Sequence, residues 1–236
     1  MKINQNLVLE KFQRDYSENK IVQIENFLEE ESAQKIFSFL NSDMQEDWWS
    51  RSVFINTKEN PNVINIRRFP SNIEQINSLT DLANESFYKD IFSYSFDRTV
   101  GKHFSSCKCE FCGFDEFLNS QELLTTISII TNQQISRSNE TFAARYTDGC
   151  FLSPHHDKAK GKIGFVFNLA KNWKPEYGGN LNITDETGFH VIKTITPKFN
   201  NLVVFDIPSY NGIPHFVSHV SPKIKKKRIS VTGWFQ

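Results

Sequence analysis

"ARYTDGCFLSPHHDK", residues 144–158, sets two histidines directly before an aspartate at the end of an apolar, β-prone run. Strand side chains alternate between faces, so in an extended chain His155 and Asp157 point one way and His156 the other. An imidazole and a carboxylate side by side can chelate a divalent cation, while His156 faces outward or packs. A site needs a third ligand, and the remaining histidines are His103, His190, His215 and His219.

Two of these share "GIPHFVSHVSP", residues 212–222. They are four residues apart, roughly 13 Å along a strand that rises about 3.3 Å per residue, so one ion cannot take both. Downstream, "KKKRISVTGWF", residues 225–235, alternates Arg228, Ser230 and Thr232 on one face with Ile229 and Val231 on the other. An arginine facing into a strand core is costly unless it meets an anion, and its planar fork suits a carboxylate. Two histidines, one carboxylate and a nearby inward arginine make a facial triad with open iron positions and a grip for an acidic cosubstrate.

The texture around these motifs predicts the architecture. From about residue 140, "TFAARYT", "IGFVFNL", "GNLNI", "FHVIKTI", "NLVVFDI", "HFVSHV" and "RISVTGWF" are short β-rich runs, punctuated by Gly161, Pro175, Gly178, Gly179, Gly188, Pro197, Pro208, Gly212 and Pro214. Seven or eight strands at this spacing suggest a sandwich or barrel rather than a parallel α/β sheet. The first half reads mainly helical. "NFLEEESAQKIFSFLNSD" (26–43) and "SNIEQINSLTDLANESFYKDIF" (71–92) repeat apolar residues at helical spacing. "NSQELLTTISII" (119–130) opens with Asn119 and, three residues on, Glu122, a capping signature. No repeat or low-complexity linker divides the chain. We expect one domain over residues 1–236, with 1–139 a mainly helical support region and 140–236 the β core.

The totals agree. The 236 residues suffice for one large domain, and 39% apolar residues can build its core. Lys+Arg 27 against Asp+Glu 27 leaves no net charge, so nothing global argues for nucleic acid or a membrane surface. The first twenty residues carry charges throughout and lack the apolar core of a signal peptide. No apolar run approaches a membrane span, and four cysteines are too few for a secreted disulfide scaffold. A cytoplasmic protein is expected.

With these residues in view, the chain from about 141 to 236 resembles the prolyl 4-hydroxylase-like branch of the Fe(II)/2-oxoglutarate-dependent dioxygenases. "ARYTDGCFLSPHHDK" resembles that family's approach to its His-x-Asp, and "FNLAKNWKPEYGGNLNI" its strand, tryptophan and Gly-Gly-x-Leu turn. "ITPKFNNLVVFDI" resembles its Pro-x-Phe-Asn segment, and "PHFVSHVSP" with "KKRISVTGWF" its distal-His and Arg strands. The resemblance implies an α+β fold with a double-stranded β-helix (jelly-roll, cupin-like) core and N-terminal support helices. It implies that His155, Asp157 and His215, rather than His219, ligate Fe(II). It implies that Arg228 pairs with the distal carboxylate of the cosubstrate 2-oxoglutarate. Tyr146 matches a tyrosine lining the cosubstrate pocket in several relatives, with core packing as the rival. Ser230 can add a hydroxyl to the carboxylate grip or be a plain strand serine. Where relatives often place a second tyrosine donor, this chain has Asn168, whose amide reaches less far. The carboxylate Asp157 argues for hydroxylation, since related halogenases carry a small residue there.

The implied reaction hydroxylates a C–H bond of a prolyl or other amino-acid residue in a protein or peptide, consuming O2 and releasing succinate and CO2, with ascorbate supporting activity in vitro. Relatives also act on free amino acids and small metabolites. A non-catalytic jelly-roll module binding a sugar or acidic ligand, and a zinc hydrolase built on the same triad, stand as alternatives. Elsewhere, "HFSSCKCEFCGF" (103–114) gathers Cys107, Cys109 and Cys112 with His103, enough for a structural zinc or simply a reduced loop. "KIKKKR" (223–228) is either an acidic-partner patch or a solvated loop, and Trp48 and Trp49 in "EDWWS" are either a substrate-covering lid or core aromatics.

Overall fold

Among the described residues, the β-rich runs of the C-terminal half form eight antiparallel strands, and four more come from the first half. This is a computed structural model, describing residues 1–56, 61–99, 106–207 and 214–236. His103 lies outside the described residues.

In chain order the elements are α1 (Leu9–Asn19), β1 (Ile21–Glu25), α2 (Glu30–Ser38), β2 (Trp49–Asn56), β3 (Pro61–Arg67), α3 (Ile73–Phe87), β4 (Tyr94–Thr99), α4 (Glu110–Leu118) and α5 (Gln121–Thr131). There follow β5 (Ser138–Tyr146), β6 (Phe151–His155), β7 (Ile163–Leu169), β8 (Leu181–Thr184), β9 (Val191–Ile195), β10 (Phe199–Asp206), β11 (His215–Val217) and β12 (Arg228–Phe235). The strands run β1-β10-β7-β12-β5-β4-β6-β11-β8-β9, with β2 beside β4 and β3 beside β2. The sheet curls over so that the β7-β12-β5 side faces β6-β11-β8 across a pocket, as a double-stranded β-helix requires. β4 makes the corner, giving two register pairs to β5 and two to β6.

Strand alternation decides what lies on each side. Ala143, Phe165, Phe167, Ile229 and Val231 point outward into a core shared with α1, α2, α4 and α5. The intervening Ala144, Val166, Arg228 and Ser230 point into the pocket. Each fully buried phenylalanine of that outer core contributes about 1.5–3 kcal/mol of transfer free energy. The helices thus clamp the sheet from behind, leaving its inner face for chemistry. Asn200 locks the two halves together. It sits at a bulge in β10 with positive φ, accepts a hydrogen bond from the Leu28 N–H (2.9 Å) and donates one to the Leu28 carbonyl (2.8 Å).

Several sequence expectations change in detail. α5 is capped by Ser120, whose hydroxyl accepts from the Leu123 N–H at 3.3 Å, and not by Asn119; Asn119 instead holds the Ser138 backbone. The cysteine stretch is not a loop throughout, because Cys109 caps α4 and Cys112 lies within it. Two strands of the first half, β2 and β4, escaped the periodicity reading for a physical reason. β2, β4 and β5 bury Arg51, Asp97 and Arg145 as a hydrogen-bonded ion network, so charged residues stand where alternation predicts apolar ones. Among the described residues, no helix is long and apolar enough to cross a membrane.

Candidate metal and cosubstrate site

β6 and β11 are neighbours, and their register pairs His155 with His215. That pairing, rather than strand alternation, assembles the cluster. β6 ends at His155, and Asp157 reaches back from the turn beyond it. The Asp157 carboxylate lies 3.6 Å from His155 Nε2 and 3.5 Å from His215 Nε2, and one ligand atom from each residue falls within 4.8 Å of the others. His155 Nδ1 is 3.0 Å from the Ser153 carbonyl, which can only accept, so Nδ1 carries the proton and Nε2 keeps its lone pair for the cluster. Burial pushes the Asp157 carboxyl upward. The neighbouring imidazoles of His155 and His215 outweigh it and hold the group below the usual carboxylate range. Two imidazoles and one carboxylate converging from one side, with a pocket on the other, suit a divalent ion with open positions.

The pocket has a volume of about 340 Å³ and runs from this cluster to Arg228. Arg228 is 2% exposed, and among the described residues it forms no ion pair. Its Nε has no hydrogen-bond partner, its Nη1 lies 3.5 Å from Ser230 Oγ, and its guanidinium stacks 4.7 Å from the Tyr146 ring. Burial pulls its pKa down, opposed by Tyr146. An uncompensated guanidinium at this depth is expensive unless an anion enters to meet it. Gly179 makes room for it, since a Cβ there would sit 3.0 Å from Arg228 Cδ.

The other expected residues fall as follows. Tyr146 is buried, lines the pocket and stacks on Phe96 at 5.0 Å, so it is at once a pocket wall and a core aromatic. Burial pushes its phenol well up. Ser230 lines the pocket beside Arg228. Asn168 pairs with Ser230 across the β7–β12 ladder and so shares its inward face; it is buried, is not itself among the lining residues, and has its Oδ1 unpartnered. His156 is exposed at the pocket mouth. His219 is no part of the cluster: it stacks on Phe151 at 4.1 Å, and its Nε2 lies 2.9 Å from Asn84 Oδ1. Trp49 is a fully buried core residue under Arg145, and neither it nor Trp48 lines the pocket. Lys226 and Lys227 reach the backbone carbonyls of Asn172 and Asn41, which suits a solvated loop.

Sequence reasoning missed the aromatic wall of the pocket, formed by Phe92, Tyr94, Phe96 and Trp234. Phe92 falls inside the stretch read as helical, and Tyr94-Ser95-Phe96 lies just beyond it, a period of two too short to stand out in a half that reads mainly helical.

Residues 141–236 match the family model described as "2OG-Fe(II) oxygenase superfamily". Three solved structures share the architecture. An oxidoreductase of the 2OG-Fe(II) oxygenase family from Burkholderia pseudomallei is 10% identical, with 100% of this chain and 92% of that one covered and a TM-score of 0.61. A Trichoplax adhaerens prolyl hydroxylase, solved with a hypoxia inducible factor peptide fragment, is 18% identical over 98% and 93%, with a TM-score of 0.59. A Pseudomonas putida prolyl-4-hydroxylase is 16% identical over 97% and 98%, with a TM-score of 0.50. At these identities the likeness is one of fold. None of the curated proteins matches the chain. Residues 141–236 thus resemble the 2OG-Fe(II) oxygenase superfamily, whose members are oxidoreductases of the dioxygenase type, and the fold is like that of the prolyl hydroxylases just named.

Proposed function

We propose that the chain hydroxylates a C–H bond of a prolyl or other amino-acid residue in a protein or peptide. His155, Asp157 and His215 would hold Fe(II), and Arg228 would anchor 2-oxoglutarate. The observation that carries this reading is the buried Arg228, without an ion-pair partner among the described residues, lining the same pocket as the His–Asp–His cluster. Both halves of the donor set fit the group: two imidazoles and a carboxylate for the metal, a planar fork for a dicarboxylate.

When bound, iron and 2-oxoglutarate supply the oxidising power, with O2 consumed and succinate and CO2 released. The protein's own part is placement. The Ser153 carbonyl fixes the His155 tautomer, Asp157 balances the metal's charge, and Arg228 with Ser230 selects for a carboxylate at the correct reach. Tyr146 shields the guanidinium from water and so strengthens its pull on an anion. Phe92 and Tyr94 wall the pocket and suit an apolar ring such as proline's. The peptide bound by the structurally similar Trichoplax enzyme supports a peptide rather than a free amino acid. We read the whole chain as one catalytic unit, because β1 extends the core sheet through β10 and one apolar cluster spans both halves.

The test is to incubate the protein with Fe(II), 2-oxoglutarate and ascorbate and follow succinate, with and without proline-containing peptides and free amino acids. Peptide-stimulated succinate release with a mass gain of one oxygen on the peptide is expected. Stimulation by free amino acids alone would move the substrate class, and no turnover with any of them would remove the proposal.

A further inference from the structure

Far from the pocket, three thiols gather in a way the oxygenase reading does not use. Cys107, Cys109 and Cys112 place their sulfurs within 4.8 Å of one another, and none is in a disulfide. Their surroundings are built. Cys112 is fully buried, Cys107 is 9% exposed, and Cys109 packs against the main apolar core. Cys109 caps α4, a nine-residue helix, and its Sγ accepts the Cys112 N–H at 3.5 Å. The cluster therefore sits at a helix N-terminus with one N–H already aimed at sulfur. Phe111, Phe114 and Phe117 of the same helix bury into the outer core and fix its first turn.

We propose that Cys107, Cys109 and Cys112 form a second metal site, taking one zinc-class cation through three thiolates. Four sulfurs at about 2.3 Å from a tetrahedral zinc stand about 3.8 Å apart, which three sulfurs inside a 4.8 Å limit accommodate. Cysteines carrying an iron–sulfur cluster must stand farther apart to surround it, so a single ion fits better. Binding is not redox: each thiol releases its proton as it ligates, and solvent or a further protein donor takes the fourth corner. The ion would staple the segment entering α4 to the helix's first turn, and α4 packs on α2, α5 and the outward face of the sheet. Its role is therefore structural, on the side of the sheet opposite the pocket.

The test measures metal content of the full chain, purified without chelator from zinc-supplied cells and dialysed, beside Cys107→Ser, Cys109→Ser and His155→Ala. About one zinc ion per chain is expected in the unaltered protein and in His155→Ala, and none in either cysteine variant. A second measurement avoids variants that fold poorly. On the unaltered chain under native conditions, three thiols should react with a disulfide reagent only as a chelator releases zinc, in matching amounts. The proposal is overturned by a chain without zinc, by zinc retained in both cysteine variants, or by copper or iron at these sulfurs. A disulfide among them in a non-reducing peptide map also overturns it. Zinc lost from His155→Ala alone belongs to the other cluster and overturns it too. Turnover plays no part in either readout, so this result and the catalytic proposal stand or fall separately.

Discussion

Arg228 enters the site as a charge with nothing to balance it. Removing such a group after a carboxylate has learned to depend on it costs about 2–5 kcal/mol, roughly thirty-fold to several thousand-fold in affinity. Arg228→Ala should therefore raise the half-saturating concentration of 2-oxoglutarate by at least that lower factor, and Arg228→Lys should recover part of it, since an ammonium supplies charge without the fork. Steady-state kinetics at varied 2-oxoglutarate check this; an unchanged requirement would put the anchor elsewhere. The two histidines of "PHFVSH" make a second contrast. His219→Phe should keep iron, because His219 packs among Phe87, Tyr88 and Phe151 and meets Asn84, away from the cluster, whereas His215→Ala should lose it. At this scale the sequence was most legible. A charged residue alternating with apolar ones on a strand announces itself, and His-x-Asp is short enough to read locally. The aromatic wall was not legible, because aromatic side chains look alike in a core and in a pocket lining.

Among the elements, β2, β4 and β5 are joined by more than their ladders. Asp97 is fully buried and receives Arg51 Nε at 2.7 Å, Arg145 at 3.0 Å and Arg68 at 3.2 Å, while Arg145 also grips Glu46 with both nitrogens at 2.7 Å. Burial pushes the Asp97 carboxyl up, but the charges of three arginines overcome it and hold it below its ordinary value. Asp97→Asn leaves those guanidiniums unbalanced and should cost about 3–5 kcal/mol in unfolding free energy. The pH dependence has a definite sign. A carboxyl depressed in the folded state contributes its stabilisation in full above its unfolded value, 3.8, and loses it as pH falls through the folded one. Glu46, also depressed, acts in the same direction. Urea midpoints should thus hold steady from neutral pH to about 5 and drop below about 4, and a flat profile down to pH 3 would contradict the network's role. This same network hid β2 and β4 from the sequence reading. Periodicity assumes apolar burial, and here Arg51 and Asp97 stand on the buried faces of those strands. The C-terminal strands, β5 with its Phe142, Ala143 and Ala144 included, bury enough apolar residues that seven or eight of them could be read.

The whole molecule is a sheet clamped by helices on its outer face, with an inner pocket lined both by the His–Asp–His cluster and by Arg228. Ligands that bind only the folded state stabilise it by mass action, about 2.7 kcal/mol at one hundred times Kd. For a chain of this size that raises Tm by about 5–10 °C. An anaerobic melt with a redox-silent divalent ion and 2-oxoglutarate should show such a shift, with much less from either alone, since metal and anchor hold opposite ends of one ligand. What no reading of local pattern could supply was the juxtaposition itself. His155 and His215 are sixty residues apart in sequence and meet only because β6 pairs with β11. The most direct measurement is 2-oxoglutarate-dependent succinate formation under air, in the unaltered protein and in His215→Ala, both supplied with the same Fe(II). Succinate release in the first and its loss in a folded second is the result predicted here; equal rates in both, or none in either at any substrate tried, would contradict it.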